Sequence, residues 1–165
     1  MPSGIYTTIN MDPFFQEFLR AQFNQWDPVF TFPKGHDLLI RMERYLTAPP
    51  SDFKPIAYGN ETFRVELPWM EHKNPSVHFY MSDRKQKMFS ARVRDYFREI
   101  FHEEIRKYRS KNFNKNEAII CFMEDFKISE QFEDRLVKAY NRYMDLERAR
   151  RFRRYQKSRK MLSVG

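Results

Sequence analysis

Two rhythms of apolar residues run along this chain, and each predicts its own kind of element. Phe14, Phe15, Phe18, Leu19 and Phe23 recur at helical spacing, which gathers apolar groups on one face of a 3.6-residue turn. Asp12-Pro13 supplies the start, with Asp as N-cap and Pro at the first helical position, and Asp27-Pro28 is the expected stop. Leu38, Leu39, Met42, Tyr45 and Leu46 repeat the rhythm between Gly35-His36-Asp37 and Pro49-Pro50. Period two then takes over. Phe63, Val65 and Leu67 alternate with Thr62, Arg64 and Glu66, and Val77, Phe79 and Met81 alternate with Ser76, His78 and Tyr80. Joined through Trp69–Pro75, with Asn74-Pro75 as a turn signal, these runs predict an antiparallel hairpin with one apolar face. Two strands alone are marginal in water, so that face must pack on helices. Ile5–Asn10 reads as a further short strand.

From Ser82-Asp83 the helical rhythm returns and persists. Phe89, Val93, Tyr96, Phe97, Ile100, Phe101, Ile105 and Tyr108 form a broad stripe, predicting a helix that reaches Tyr108 or Ser110. Lys111–Asn116 is a polar break, followed by a shorter helix from about Glu117 to Phe126 with Ala118, Ile119, Phe122 and Phe126 inward. Ile128-Ser129 caps a last helix beginning near Glu130. Its stripe of Phe132, Leu136, Ala139, Tyr140, Tyr143 and Leu146 is expected to continue to Ala149 and Phe152.

Breakers agree with this division. All nine prolines fall between Pro2 and Pro75, and no glycine occurs between Gly59 and Gly165. The expected fold is therefore α+β and predominantly α-helical: two short N-terminal helices, a small antiparallel β-hairpin, and three C-terminal helices ending in a basic arm. Residues 1–147 are expected to form one globular domain, loop-rich over 1–75 and mostly helical over 76–147, with 148–165 as the arm. A chain of 165 residues is long enough to bury roughly 70% of its unfolded surface.

Composition adds an aromatic and Met-rich pool, with 17 Phe, nine Tyr and nine Met. It serves either an aromatic core or contact surfaces, where both residue types are enriched. The single cysteine, Cys121, excludes an internal disulfide and a Cys-based metal site. Within the apolar run Ala118–Phe122 it is expected to act as a small buried hydrophobe. No secretion signal and no uncharged apolar stretch of about 18 residues is visible. A soluble, cytoplasmic protein without a membrane span is the expectation.

Charge changes the picture most. All 22 acidic residues lie at or before Glu147, whereas eight of the 30 basic residues lie beyond it. Residues 1–147 balance to zero, so Arg148, Arg150, Arg151, Arg153, Arg154, Lys157, Arg159 and Lys160 carry the whole net charge of +8. A block of like charge repels itself but binds polyanions well. Arginine grips phosphate with two parallel hydrogen bonds and stacks on bases, and the interleaved Phe152 and Tyr155 could stack on unpaired bases. The alternative is a solvated tail whose Phe152 merely finishes the helix stripe, or an arm that meets an acidic protein or an anionic membrane.

Residues 82–115 form a second basic stretch, with 11 Lys/Arg against five Asp/Glu. On a helix, Lys87, Arg94, Arg98 and Arg109 fall within about 60° of one another, a row able to track a phosphate backbone. Asp95, Glu99, Glu103 and Glu104 stand close by, so a salt-bridged solvent face is an equal alternative. Glu117–Tyr143 has the outline of a helix-turn-helix. Its turn, however, holds Lys127 in place of glycine, position 133 is Glu rather than an apolar residue, and Glu130, Glu133 and Asp134 would face phosphate. This segment reads as scaffold.

Catalytic patterns are poor. His36, His72, His78 and His102 are scattered, and no P-loop, nucleophile elbow or Gly-rich cradle is present. A metal-dependent nuclease built on Glu66, Glu71 and Asp83 at element ends is the enzymatic alternative. Taken together, the residues point to a small non-enzymatic nucleic-acid-binding protein of accessory or regulatory kind, with no cofactor and with DNA or RNA as partner. A protein-assembly module, with a protein partner or a second copy of the chain, is the rival.

Overall fold

The computed structural model describes residues 2–163. They gather into two compact units, divided between Ile100 and Phe101. The fold is α+β and predominantly helical, with two short helices in the N-terminal part and three in the C-terminal part.

In the first unit a three-stranded sheet is built from β1 (Pro2–Asn10), β2 (Val29–Phe30) and β3 (Thr62–Pro68), in the order β1-β3-β2. β1 pairs antiparallel with β3, matching Tyr6 with Glu66, Thr8 with Arg64 and Asn10 with Thr62. β2 pairs parallel to the other edge of β3. The register slips between Pro2 and Tyr6, where Gly4 takes the left-handed φ of 69° that a bulge favours. Alternation turns Ile9, Phe63, Val65 and Leu67 into the core.

The helix starts follow their sequence signals. In α1 (Pro13–Gln22) Asp12 accepts the Phe14 N–H at 3.0 Å. The helix ends earlier than Asp27-Pro28, because Asn24 adopts φ 51° just past Phe23, the left-handed residue that commonly closes helices. In α2 (Asp37–Tyr45) the cap is His36, whose Nδ1 accepts the Leu38 N–H at 3.2 Å. Burial lowers the His36 pKa, with Asp37 opposing. Phe14, Phe15, Phe18 and Leu19 of α1 and Leu38, Leu39 and Met42 of α2 are buried. They share this core with Phe89, Val93 and Phe97 of α3 (Asp83–Ser110). Phe97 is met edge-on by Phe14 at 5.0 Å and Phe18 at 5.2 Å. Such pairs add about 0.5–1.5 kcal/mol each beyond area burial.

The predicted hairpin does not form. Both edges of β3 are already occupied, by β1 and β2. Asn74 accepts the Ser76 N–H through its side chain, and the Val77 and His78 N–H groups through its carbonyl. That turn coils residues 74–78 instead of extending them. Only Tyr80 keeps an isolated antiparallel bridge, to Thr47, and Val77 is exposed.

The second unit contains the end of α3 from Phe101, α4 (Lys115–Asp125), a 3-10 turn at Glu130–Phe132 and α5 (Glu133–Leu162). A capping box of Asn114 and Glu117 starts α4. Phe101, Ile105, Tyr108, Ala118, Ile119, Phe122, Ile128, Leu136, Tyr140 and Tyr143 are buried. Tyr108 donates its hydroxyl to the Asp125 carboxylate; burial, and then that bond, push its pKa far above the ordinary tyrosine range. Cys121 is half-buried, not buried as expected. Five consecutive apolar residues wrap around a helix at 3.6 per turn, so Ala118, Ile119 and Phe122 take the core while Ile120 is exposed.

Candidate nucleic-acid interface

The basic arm is the second half of α5, and its helix continues to Leu162. No apolar stripe holds it there. Leu136, Tyr140 and Tyr143 are the buried residues of α5; Leu146 is 50% exposed, Phe152 61% and Tyr155 62%. The expected continuation of the stripe to Ala149 and Phe152 is thus corrected. Arg150 and Arg154 fall close to the angular sector that Tyr143 and Leu136 hold further back, so the core-facing side turns cationic. Helix persists because Arg, Lys, Gln, Ala and Leu are good helix formers and the packed first half has already met the cost of nucleation. From Arg148 to Leu162 the helix is about 22 Å long.

Arg148, Arg150, Arg151, Arg153, Arg154, Lys157, Arg159 and Lys160 are all exposed. Two of them have partners one turn back, Arg148 on Asp145 at 3.6 Å and Arg150 on Glu147 at 2.8 Å. Exposed pairs of this kind contribute about 0–1 kcal/mol and give way readily to phosphate. The other six make no ion pair among the described residues. On a helical projection Lys160, Arg153, Lys157, Arg150, Arg154 and Arg151 cover an arc of about 180°. Phe152, Tyr155 and Leu162 lie on the opposite side, with Arg159 projecting between the two rings.

The row on α3 is weaker. Lys87 and Arg94 are exposed, with no ion pair among the described residues. Arg98 is exposed but pairs with Asp95 at 3.4 Å. Arg109 is half-buried, with Nη1 3.1 Å from the Met144 Sδ. Further along, Lys107 pairs with Glu104 at 2.8 Å and Glu103 at 3.3 Å, and the Glu104 and Glu103 carboxylates raise its pKa. Arg106 instead donates to the His102 carbonyl.

The α4–α5 turn keeps its left-handed residue without glycine, with Lys127 at φ 50°. Such a residue costs roughly 1–2 kcal/mol. Glu133, which stands where a DNA-reading second helix would bury an apolar side chain, is exposed.

Glu66, Glu71 and Asp83 are not brought together. Glu66 accepts the Gly4 N–H and lies near the Thr31 hydroxyl, Glu71 lies beside His72, and each of the three lines a different hollow. Among the described residues no group of three or more His, Cys, Asp or Glu is placed to hold a metal ion, and no helix is long and apolar enough to cross a membrane. No family model, curated protein or solved structure matches the chain.

Sequence reasoning passed over Arg64. Its alternation with Phe63 and Val65 marked it only as a solvent-side strand residue, yet its guanidinium lies 4.8 Å from the Tyr6 ring and 5.2 Å from the Tyr58 ring.

Proposed function

We propose that the protein is a non-enzymatic nucleic-acid-binding protein, of accessory or regulatory kind, that grips phosphate backbone with the distal half of α5. One observation carries this reading: six cations with no ion-pair partner among the described residues line an exposed helix that holds the chain's entire net charge of +8. The helix is about 10–12 Å across, and the B-DNA major groove is about 12 Å wide, so cations on a 180° arc can address phosphates along a groove wall. The outward Phe152 and Tyr155 supply a sequence-tolerant surface for unpaired bases.

Neutralising phosphates releases counterions, so log affinity falls linearly with log salt, by about 0.9 per contact on duplex DNA. Five contacts predict a loss of roughly 500-fold between 50 and 200 mM salt. Fluorescence anisotropy on mixed-sequence DNA and RNA, with the whole chain and with a chain ending at Glu147, tests this. The truncated chain should keep a cooperative melt, because its buried residues all precede Arg148, and should lose most of the salt-dependent affinity. An unchanged slope after truncation sinks the reading and favours a protein-assembly module.

A further inference from the structure

β1 is an edge strand, and the residues at its middle line a cavity. Just beyond the strand the Met11 N–H donates to the Glu61 carbonyl at 2.8 Å, which sets the phase of the antiparallel ladder. Ile9 with Phe63 and Thr7 with Val65 are therefore the pairs that exchange hydrogen bonds. The alternate residues Tyr6, Thr8 and Asn10 turn their N–H and C=O groups away from β3. Asn10 conforms, since its outward N–H is taken by Gln86 Oε1 at 2.8 Å. The outward groups of Tyr6 and Thr8 have no partner among the described residues. Both residues line a cavity of about 550 Å³, which Phe53, Phe79 and Tyr80 also line.

Arg64 reaches the same cavity across Tyr6. Its guanidinium is held by two tyrosine rings but makes no hydrogen bond or ion pair among the described residues, and its Nε is buried without a partner. Lys54, Asp52 and Asp83 are the other charged groups lining the cavity, and neither carboxylate pairs with Arg64. A guanidinium fixed by stacking, with its donors unused, is prepared for a carboxylate. Proteins normally blunt or cover an edge strand; here Gln86 covers one end and leaves the middle open.

We infer that this cavity is a docking site for an extended acidic peptide segment of a partner protein. The segment adds to β1 as a further strand: main-chain hydrogen bonds go to Tyr6 and Thr8, an acidic side chain to Arg64, and alternate apolar side chains toward Phe53 and Tyr80. The site lies within the first unit and does not depend on the arm.

The probe is a capped, fluorescent heptapeptide alternating valine with glutamate, with a lysine-for-glutamate counterpart, titrated against the full-length chain. The glutamate peptide should bind saturably and slow hydrogen exchange at the Tyr6 and Thr8 amides. Arg64→Gln should weaken binding roughly tenfold. Thr8→Pro should abolish it while largely preserving the melt, since proline is tolerated where a strand N–H points away from its sheet. Replacing Arg150, Arg151, Arg153 and Arg154 by Gln should leave it unchanged, which separates this site from charge attraction to the arm. The inference is overturned if neither peptide binds, if the lysine peptide binds equally well, or if only the arm substitutions weaken binding. Self-association lost in Thr8→Pro, without peptide binding, would overturn it in favour of a second copy of the chain.

Discussion

The two basic surfaces of this protein are alike in sequence and opposite in circumstance. Along α3, acidic residues one turn away hold Arg98 and Lys107, and Arg109 is drawn against Met144. Along the distal half of α5 the side-chain carboxylates stop at Glu147, and six cations face solvent without an ion-pair partner among the described residues. Local excess of positive charge is therefore a poor guide on its own. Spacing alone does not decide the pairing either: Lys87 has Asp83 and Arg151 has Glu147 four residues back, yet neither makes an ion pair among the described residues.

The largest expected effect falls on α5. Replacing Arg150, Arg151, Arg153 and Arg154 by Gln should flatten the slope of log affinity against log salt by about three to four units, with helicity retained by circular dichroism. Next come Phe152→Ala and Tyr155→Ala, each expected to weaken single-stranded binding by roughly fivefold or more and duplex binding little, as read by parallel anisotropy titrations. Smallest is the α3 row: Lys87→Gln, Arg94→Gln and Arg98→Gln together should change the slope by less than about one unit. If the α3 variant flattens the slope as much as the α5 variant, the distinction between the two helices collapses.

Periodicity made the C-terminal half readable. Ser82-Asp83 and the stripe from Phe89 to Tyr108 place α3 at Asp83–Ser110, because a long amphipathic helix states its face in every turn. Strand partners are not written that way. The alternation of Phe63, Val65 and Leu67 marks a strand but does not say that its neighbours are Pro2–Asn10 and a two-residue strand at Val29; those pairings are settled by packing between distant segments. The same limit hid the open edge of β1 and the position of Arg64. The charge block of the arm was plain from residue order, whereas its helical form was not, since residues 148–162 lack any buried stripe to reveal the period.

His36 couples the first unit to protons. Its ring caps α2 only as the neutral imidazole, because Nδ1 must accept the Leu38 N–H, and it is surrounded by Phe23, Phe32 and Tyr96. With its folded pKa below 6.5, the unfolded chain takes up a proton more readily than the folded one. Stability is then fully present above about pH 6.5 and declines as the pH falls below it. Melting curves from pH 7.5 to 5.5 should show that decline, and His36→Asn, which keeps a capping acceptor that does not titrate, should make it shallower. An equal decline in both proteins would show that another group sets it. A mildly acid medium therefore weakens this molecule at the entrance to α2, far along the chain from the arginines that dominate its charge.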